Sequence, residues 1–191
     1  MIATFTRDEA RALLAFASRD PARTSLHGVI VDPATASVCA TDGHTALRAT
    51  LPYPPHADVS PNIIHYDVWA RVLAAARKKT DTISVAVDLN GATISVGEVR
   101  IEYRWADAGS ATPPNCGQVF EFAQNDTDRA EIVGFDGVYL ERVGRTMKQI
   151  GAKSVKLSVR GGCSTQIFDF VFPAKSENPI AWTALVAPVR L

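Results

Sequence analysis

The sequence predicts an α+β fold built from one unit used three times: a short strand, a capped helix, then three strands. Three observations carry this. Helix-start signals recur at nearly even spacing, at Thr6, Asp67 and Asp136. Stretches with two-residue alternation follow each helix. The connections between those stretches are short and turn-like, which makes the sheets antiparallel, with the helices layered on one face.

In chain order, Met1–Phe5 reads as a strand. Thr6 with Glu9 three residues later is a capping box, and the helix behind it runs to about Ser18 with Ala10, Leu13, Leu14 and Ala17 on one stripe. His27–Val31 is a strand, Asp32-Pro33 a turn, and Ser37–Leu51 a hairpin whose arms flank Asp42-Gly43, a dipeptide suited to a two-residue reverse turn. Pro residues bracket a loop before the strand Asn62–Tyr66. Asp67 is read as the N-cap of a second helix, Val68 to about Lys79. Strands Thr82–Val87, Ala92–Val96 and Arg100–Trp105 complete the second unit. The stretch 106–117, rich in Pro and small residues, reads as a linker. Beyond it, Gln118–Phe122 and Glu131–Phe135 look extended, Asp136 caps a helix to about Ile150, and strands recur at Ser154–Val159, Ser164–Phe172 and Trp182–Val189. The expected organisation is therefore a complete two-unit domain over 1–110 and a one-unit half-domain over 118–191. Trp69, Trp105 and Trp182 fall inside predicted elements and are expected in the core.

Composition narrows the function class. A hydrophobic fraction of 47% with 21% charged residues is that of a globular protein, and the net charge is zero. Bulk charge therefore does not drive nucleic-acid coating, although positive charge confined to one face remains compatible with it. No apolar run reaches the roughly 20 residues of a membrane span, and the charged N-terminus lacks a signal-peptide core. Cys39, Cys116 and Cys163 are far apart and outside any CxxC or Cys/His cluster. Neither a disulfide framework nor a zinc site is predicted, and a cytoplasmic location fits. Asp42, His44 and Thr45 are close in sequence, but adjacent turn residues leave on different faces and no nucleophile elbow accompanies them. No glycine-rich phosphate loop occurs. The reading is not an enzyme, with no cofactor and no metal.

Two stretches carry a resemblance. Ala40-Thr41-Asp42-Gly43-His44, after an apolar strand, resembles a signature in the middle domain of the bacterial DNA polymerase III β sliding clamp family; Ala187-Pro188-Val189-Arg190-Leu191 resembles the way that family's chains end. The resemblance implies a DNA-clamp-like architecture with antiparallel sheets outside and helices inside. It also implies a shortened chain, equivalent to the middle domain plus the latter half of the last; the Met1 start suggests natural brevity. In the family the two stretches line opposite sides of a cleft for short peptide motifs of polymerases and other replication or repair partners. Carried over, Thr41, Gly43, His44, Thr45 and Ala46 form one wall, and Val186, Ala187, Pro188, Val189, Arg190 and Leu191 the other. Thr45 stands where the family usually has Arg, Ala46 where it has Leu, and Ala187 where it often has Met.

Clamps line a channel with helices that meet DNA phosphates without reading bases. The segment Asp67–Lys79 holds four basic residues against one acid, and Asp136–Lys153 four against two. Arg71, Lys78, Arg142, Arg145 and Lys148 are the expected DNA-facing residues; the first helix is neutral. The expected role is a processivity factor for DNA replication, assembled as a homo-oligomer because one and a half domains do not surround a duplex. The alternative is a truncated clamp paralogue acting as a peptide-binding or decoy module without DNA encirclement.

Overall fold

The computed structural model describes residues 2–55, 59–109, 112–125, 133–159, 165–174 and 180–188. The first unit opens with β1 (Ile2–Thr6) and α1 (Arg7–Phe16). The capping box forms as the sequence predicts: the Glu9 N–H donates to Thr6 Oγ1 at 3.3 Å, and the Thr6 N–H donates to Glu9 Oε2 at 2.8 Å. β2 (Gly28–Asp32), β3 (Ser37–Thr41) and β4 (Thr45–Thr50) follow. The second unit is β5 (Asn62–His65), α2 (Tyr66–Ala75), β6 (Thr82–Val87), β7 (Gly91–Val96) and β8 (Val99–Arg104).

The start of α2 departs from expectation. The Tyr66 N–H donates to His27 O at 3.0 Å, which draws the helix start back so that His65 holds the cap position without a side-chain bond. Asp67 sits in the first turn instead, where the helix dipole favours a carboxylate. The helix also stops at Ala75, and the Lys78 N–H is taken by Asp81 Oδ2 in the turn that follows.

A larger departure is α3 (Cys116–Asn125), where a linker end and an extended stretch were expected. Val119, Phe120, Glu121 and Phe122 suggest alternation, but the buried set is Cys116, Phe120 and Ala123, a helical stripe. Asn115 Oδ1 accepts the Gln118 N–H and holds the first turn. The expected strand Glu131–Phe135 begins outside the described residues; within them, Phe135 packs edge-on to Phe168 at 5.7 Å. The third unit continues with α4 (Gly137–Gln149), capped by Asp136, then β9 (Ser154–Ser158), β10 (Gln166–Val171) and β11 (Ala181–Val186).

Two antiparallel sheets result, ordered β1-β6-β7-β8 and β5-β2-β3-β4-β11-β10-β9. Units one and two interlock by exchanging first strands: β1 pairs with β6, and β5 pairs with β2. The third unit extends the first unit's sheet, its last strand β11 lying antiparallel to β4 with Val186 opposite Thr45.

α1 lies between the sheets, touching both of them as well as α2 and α4. Phe5 of the small sheet meets Trp182 of the large one edge-on at 6.3 Å, and Trp69 Nε1–H donates to Ala10 O at 3.0 Å, joining α2 to α1. Trp69 and Trp182 are core residues as predicted; Trp105 is only half-buried, its Nε1–H on Asp88 O. Trp182 shares its face with Ala49 and Val38, so Cys39 and Arg48 point to the outer face. There α3 covers them, with Phe120 beneath the Arg48 guanidinium at 4.2 Å. Among the described residues no helix is long and apolar enough to cross a membrane.

Candidate functional site at the hairpin tip

Asp42 builds the tip. Its Oδ1 accepts the N–H groups of His44 (3.0 Å) and Thr45 (2.8 Å) and the Thr45 hydroxyl (3.1 Å). The Thr41 hydroxyl accepts the Gly43 N–H and donates to Thr45 O. Within the tip only Gly43 takes a positive φ, +90°, and the Asp42 N–H donates to Thr45 O at 3.2 Å, so the turn centres on Gly43-His44, one residue later than Asp42-Gly43 suggests.

The tip is held from three sides. Arg23 Nη1 donates to Asp42 O at 2.8 Å. From α4, Arg142 Nη1 lies 2.5 Å from both Asp42 Oδ2 and Thr45 Oγ1, and Tyr139 stacks on His44 with ring centroids 6.1 Å apart. The third restraint is the far segment of the chain, where the Ala187 N–H donates to His44 O at 2.8 Å, immediately past the last β4–β11 pair. The hairpin and the tail segment thus meet.

Burial sorts the expected cleft residues. Gly43 and His44 are exposed, and Thr41, Ala187 and Pro188 are half-buried. Thr45, Ala46 and Val186 are buried, so they shape the site from beneath. Val189, Arg190 and Leu191 lie outside the described residues. Tyr139, Arg23 and Arg142 enter the site without a local signal at the hairpin. Tyr139 was traceable in one respect: it precedes Arg142 by one helical turn on the same stripe. A guanidinium does reach position 45, but from α4.

Burial raises the Asp42 pKa, but the Arg142 guanidinium and the Thr45 and His44 amides outweigh it and hold the carboxyl below its ordinary value. Such a group is a poor general base. Among the described residues no three His, Cys, Asp or Glu side chains gather as metal ligands.

The basic residues are spread differently from expectation. Arg71 is exposed on α2, whereas Lys78 is exposed in the turn after it. Arg145 is exposed and paired with Glu141 at 2.5 Å, and Lys148 is exposed in the last turn of α4. Arg142 is turned to Asp42, its guanidinium also lying over Phe16, and does not present its charge outward. Between α1 and α4 runs a groove of about 430 Å³ lined by Arg19, Arg145, Thr146 and Gln149 among others.

No protein-family model and no curated protein sequence matches the chain. Solved structures do. The β sliding clamp of Caulobacter crescentus aligns with TM-score 0.67 and 15% identity, over 100% of this chain and 66% of that one. A putative DNA polymerase III β subunit from Eubacterium rectale gives 0.67 and 10%, over 100% and 66%. The Pseudomonas aeruginosa sliding clamp gives 0.64 and 12%, over 100% and 67%. The chain spans about two thirds of the length of these structures. With its interlocked units, α1 and α2 inside between the sheets and a continuous sheet across the third unit, the chain has the fold of the bacterial DNA polymerase III β sliding clamps.

Proposed function

We propose that this protein is a clamp-like replication accessory: a non-enzymatic scaffold that tethers partner proteins by short peptides and contacts duplex DNA through its helices, as a homo-oligomer. Residues 1–110 serve as one complete clamp-like domain and 118–191 as half of another. The observation that carries the reading is the hydrogen bond from Ala187 N–H to His44 O. On a clamp fold it brings the exposed Gly43-His44 tip, the Tyr139 ring and the Ala187-Pro188 segment to one place, an arrangement suited to an extended peptide. Arg71, Lys148 and, at the α1–α4 groove, Arg19 supply positive charge for phosphate contact without base reading.

One observation favours the alternative, a peptide-binding or decoy module without DNA encirclement. Two of the four basic residues expected on the third helix segment, Arg142 and Arg145, are engaged by carboxylates within the chain. Retention on DNA separates the two readings. A clamp stays on nicked circular DNA and is lost when the circle is linearised, with retention falling as salt rises. Equal loss from circular and linear DNA overturns encirclement.

Peptide capture is tested separately with griselimycin, which is bound in a structure of the Pseudomonas aeruginosa clamp. Titration into the wild-type protein is expected to shift the backbone resonances of His44 and Ala187. A ligand that leaves both unmoved counts against the cleft.

A further inference from the structure

We infer that β8 is a self-recognition edge: two copies pair their β8 strands antiparallel about a two-fold axis, with Ile101 facing Ile101 of the second copy. This deepens the oligomeric part of the proposed function and rests on it. The chain supplies the rule. In the seven-stranded sheet, units one and three join through their last strands, β4 against β11. The last strand of unit two is β8, the outer strand of the four-stranded sheet. Among the described residues only β7 pairs with it. β4 and β11 are occupied by each other, so among the described residues β8 is the one last strand with an open edge, and its own sequence is complementary to a second β8.

The sequence of β8 singles out the register. The Trp105 N–H donates to Asn90 O, so odd-numbered residues direct their backbone groups at β7 and even-numbered ones at the open edge. Arg100, Glu102 and Arg104 are exposed on one face, with Glu98 just ahead of them in the turn; Ile101 and Tyr103 turn inward on the other, on the same side as Val99. With Ile101 on the axis, Arg100 faces the second copy's Glu102 and Arg104 faces its Glu98, each pair occurring twice. On the inward face Val99 meets the second copy's Tyr103. Centring the pairing on Glu102 instead sets Glu102 against Glu102 and Arg100 against Arg104, a like-charge ladder. A slip by one residue of one strand sets charged residues against apolar ones. Within one chain Arg100 and Glu102 already pair at 3.3 Å while 65% and 73% exposed, so assembly redirects an ion pair that water largely screens. The edge carries no Pro and no bulge; its charged side chains Arg100, Glu102 and Arg104, which oppose addition of an unrelated strand, are matched by a second β8 in this register.

The test is the mass of the full chain by sedimentation equilibrium across micromolar concentrations. Arg100→Glu and Glu102→Arg each place like charges opposite and are expected to weaken association about tenfold or more. The double variant, Arg100→Glu with Glu102→Arg, restores every pair and is expected to recover wild-type association. Ile101→Cys, treated with oxidised glutathione, is expected to give a covalent dimer whose cross-linked peptide joins position 101 to itself. An oligomer indifferent to both single reversals, a double variant no better than the singles, or no 101–101 cross-link overturns the β8 pairing while leaving oligomerisation standing. A monomer at every concentration overturns both.

Discussion

The Asp42–Arg142 contact offers a direct measure of how the third unit is fastened to the first. Asp42→Asn keeps an oxygen for the His44 and Thr45 amides but sets an NH2 group against Arg142. Both side chains are about one-fifth exposed, 19% for Asp42 and 23% for Arg142, so the pair is worth more than a surface salt bridge and less than a dry one. We expect a loss of about 2 kcal/mol. Asp42→Ala also removes the three bonds to Oδ1, partly replaced by water at this exposed turn, and is expected to cost about 3–4 kcal/mol. Arg142→Met keeps an apolar stem over Phe16. Combined with Asp42→Asn, it closes a double-mutant cycle whose coupling should be about 1.5–2 kcal/mol. Urea unfolding followed by both circular dichroism and tryptophan fluorescence reads each corner. A coupling below about 0.5 kcal/mol refutes the fastening, because the contact then contributes no more than an exposed pair.

The same contact sets a pH dependence. The folded-state pKa of Asp42 is depressed, so its contribution is present above the ordinary carboxylate range and is lost as pH falls through the depressed folded value. The gap in urea midpoint between wild type and Asp42→Asn should therefore close on acidification, and a gap constant with pH contradicts this. Trp69→Phe removes the buried bond to Ala10 O and should cost about 1 kcal/mol by chemical denaturation. If Lys148 and Arg71 meet phosphates, changing each to Ala should lower the slope of log binding constant against log salt by about 0.9 without altering sequence preference; an unchanged slope removes that residue from the DNA face.

Much of the fold was legible because local chemistry and tertiary demand agree. Thr6-Glu9 and Asp136 cap where they should, and the alternating stretches of the first two units are strands. Reading failed where a tertiary bond overrode a local preference. Tyr66 bonds His27, so Asp67 loses its cap position, and the 118–122 stretch becomes helical because it must lay Cys116, Phe120 and Ala123 along the outer face of a sheet made elsewhere in the chain. At the site, the hairpin residues and the tail were readable as motifs. The contributions of Arg142 and Tyr139 were not, because a residue's approach from 100 positions away leaves no trace in the hairpin's own spacing. The exchange of first strands was likewise invisible, since β1 and β5 read the same whichever sheet they join.

That exchange has a consequence for how the molecule comes into being. During synthesis β1 emerges early, yet its partner β6 appears only after the whole first unit and α2 have been made, so Ala3 and Phe5 wait without cover. The hairpin tip waits longer still, for a neighbour that follows α4, β9 and β10. Pairings this distant in sequence close slowly. A chain stalled or released before β6 would carry both uncovered surfaces, and one stopped between β6 and β11 the tip alone, whereas the joined hairpin and tail segment exist only in molecules whose translation has passed β11.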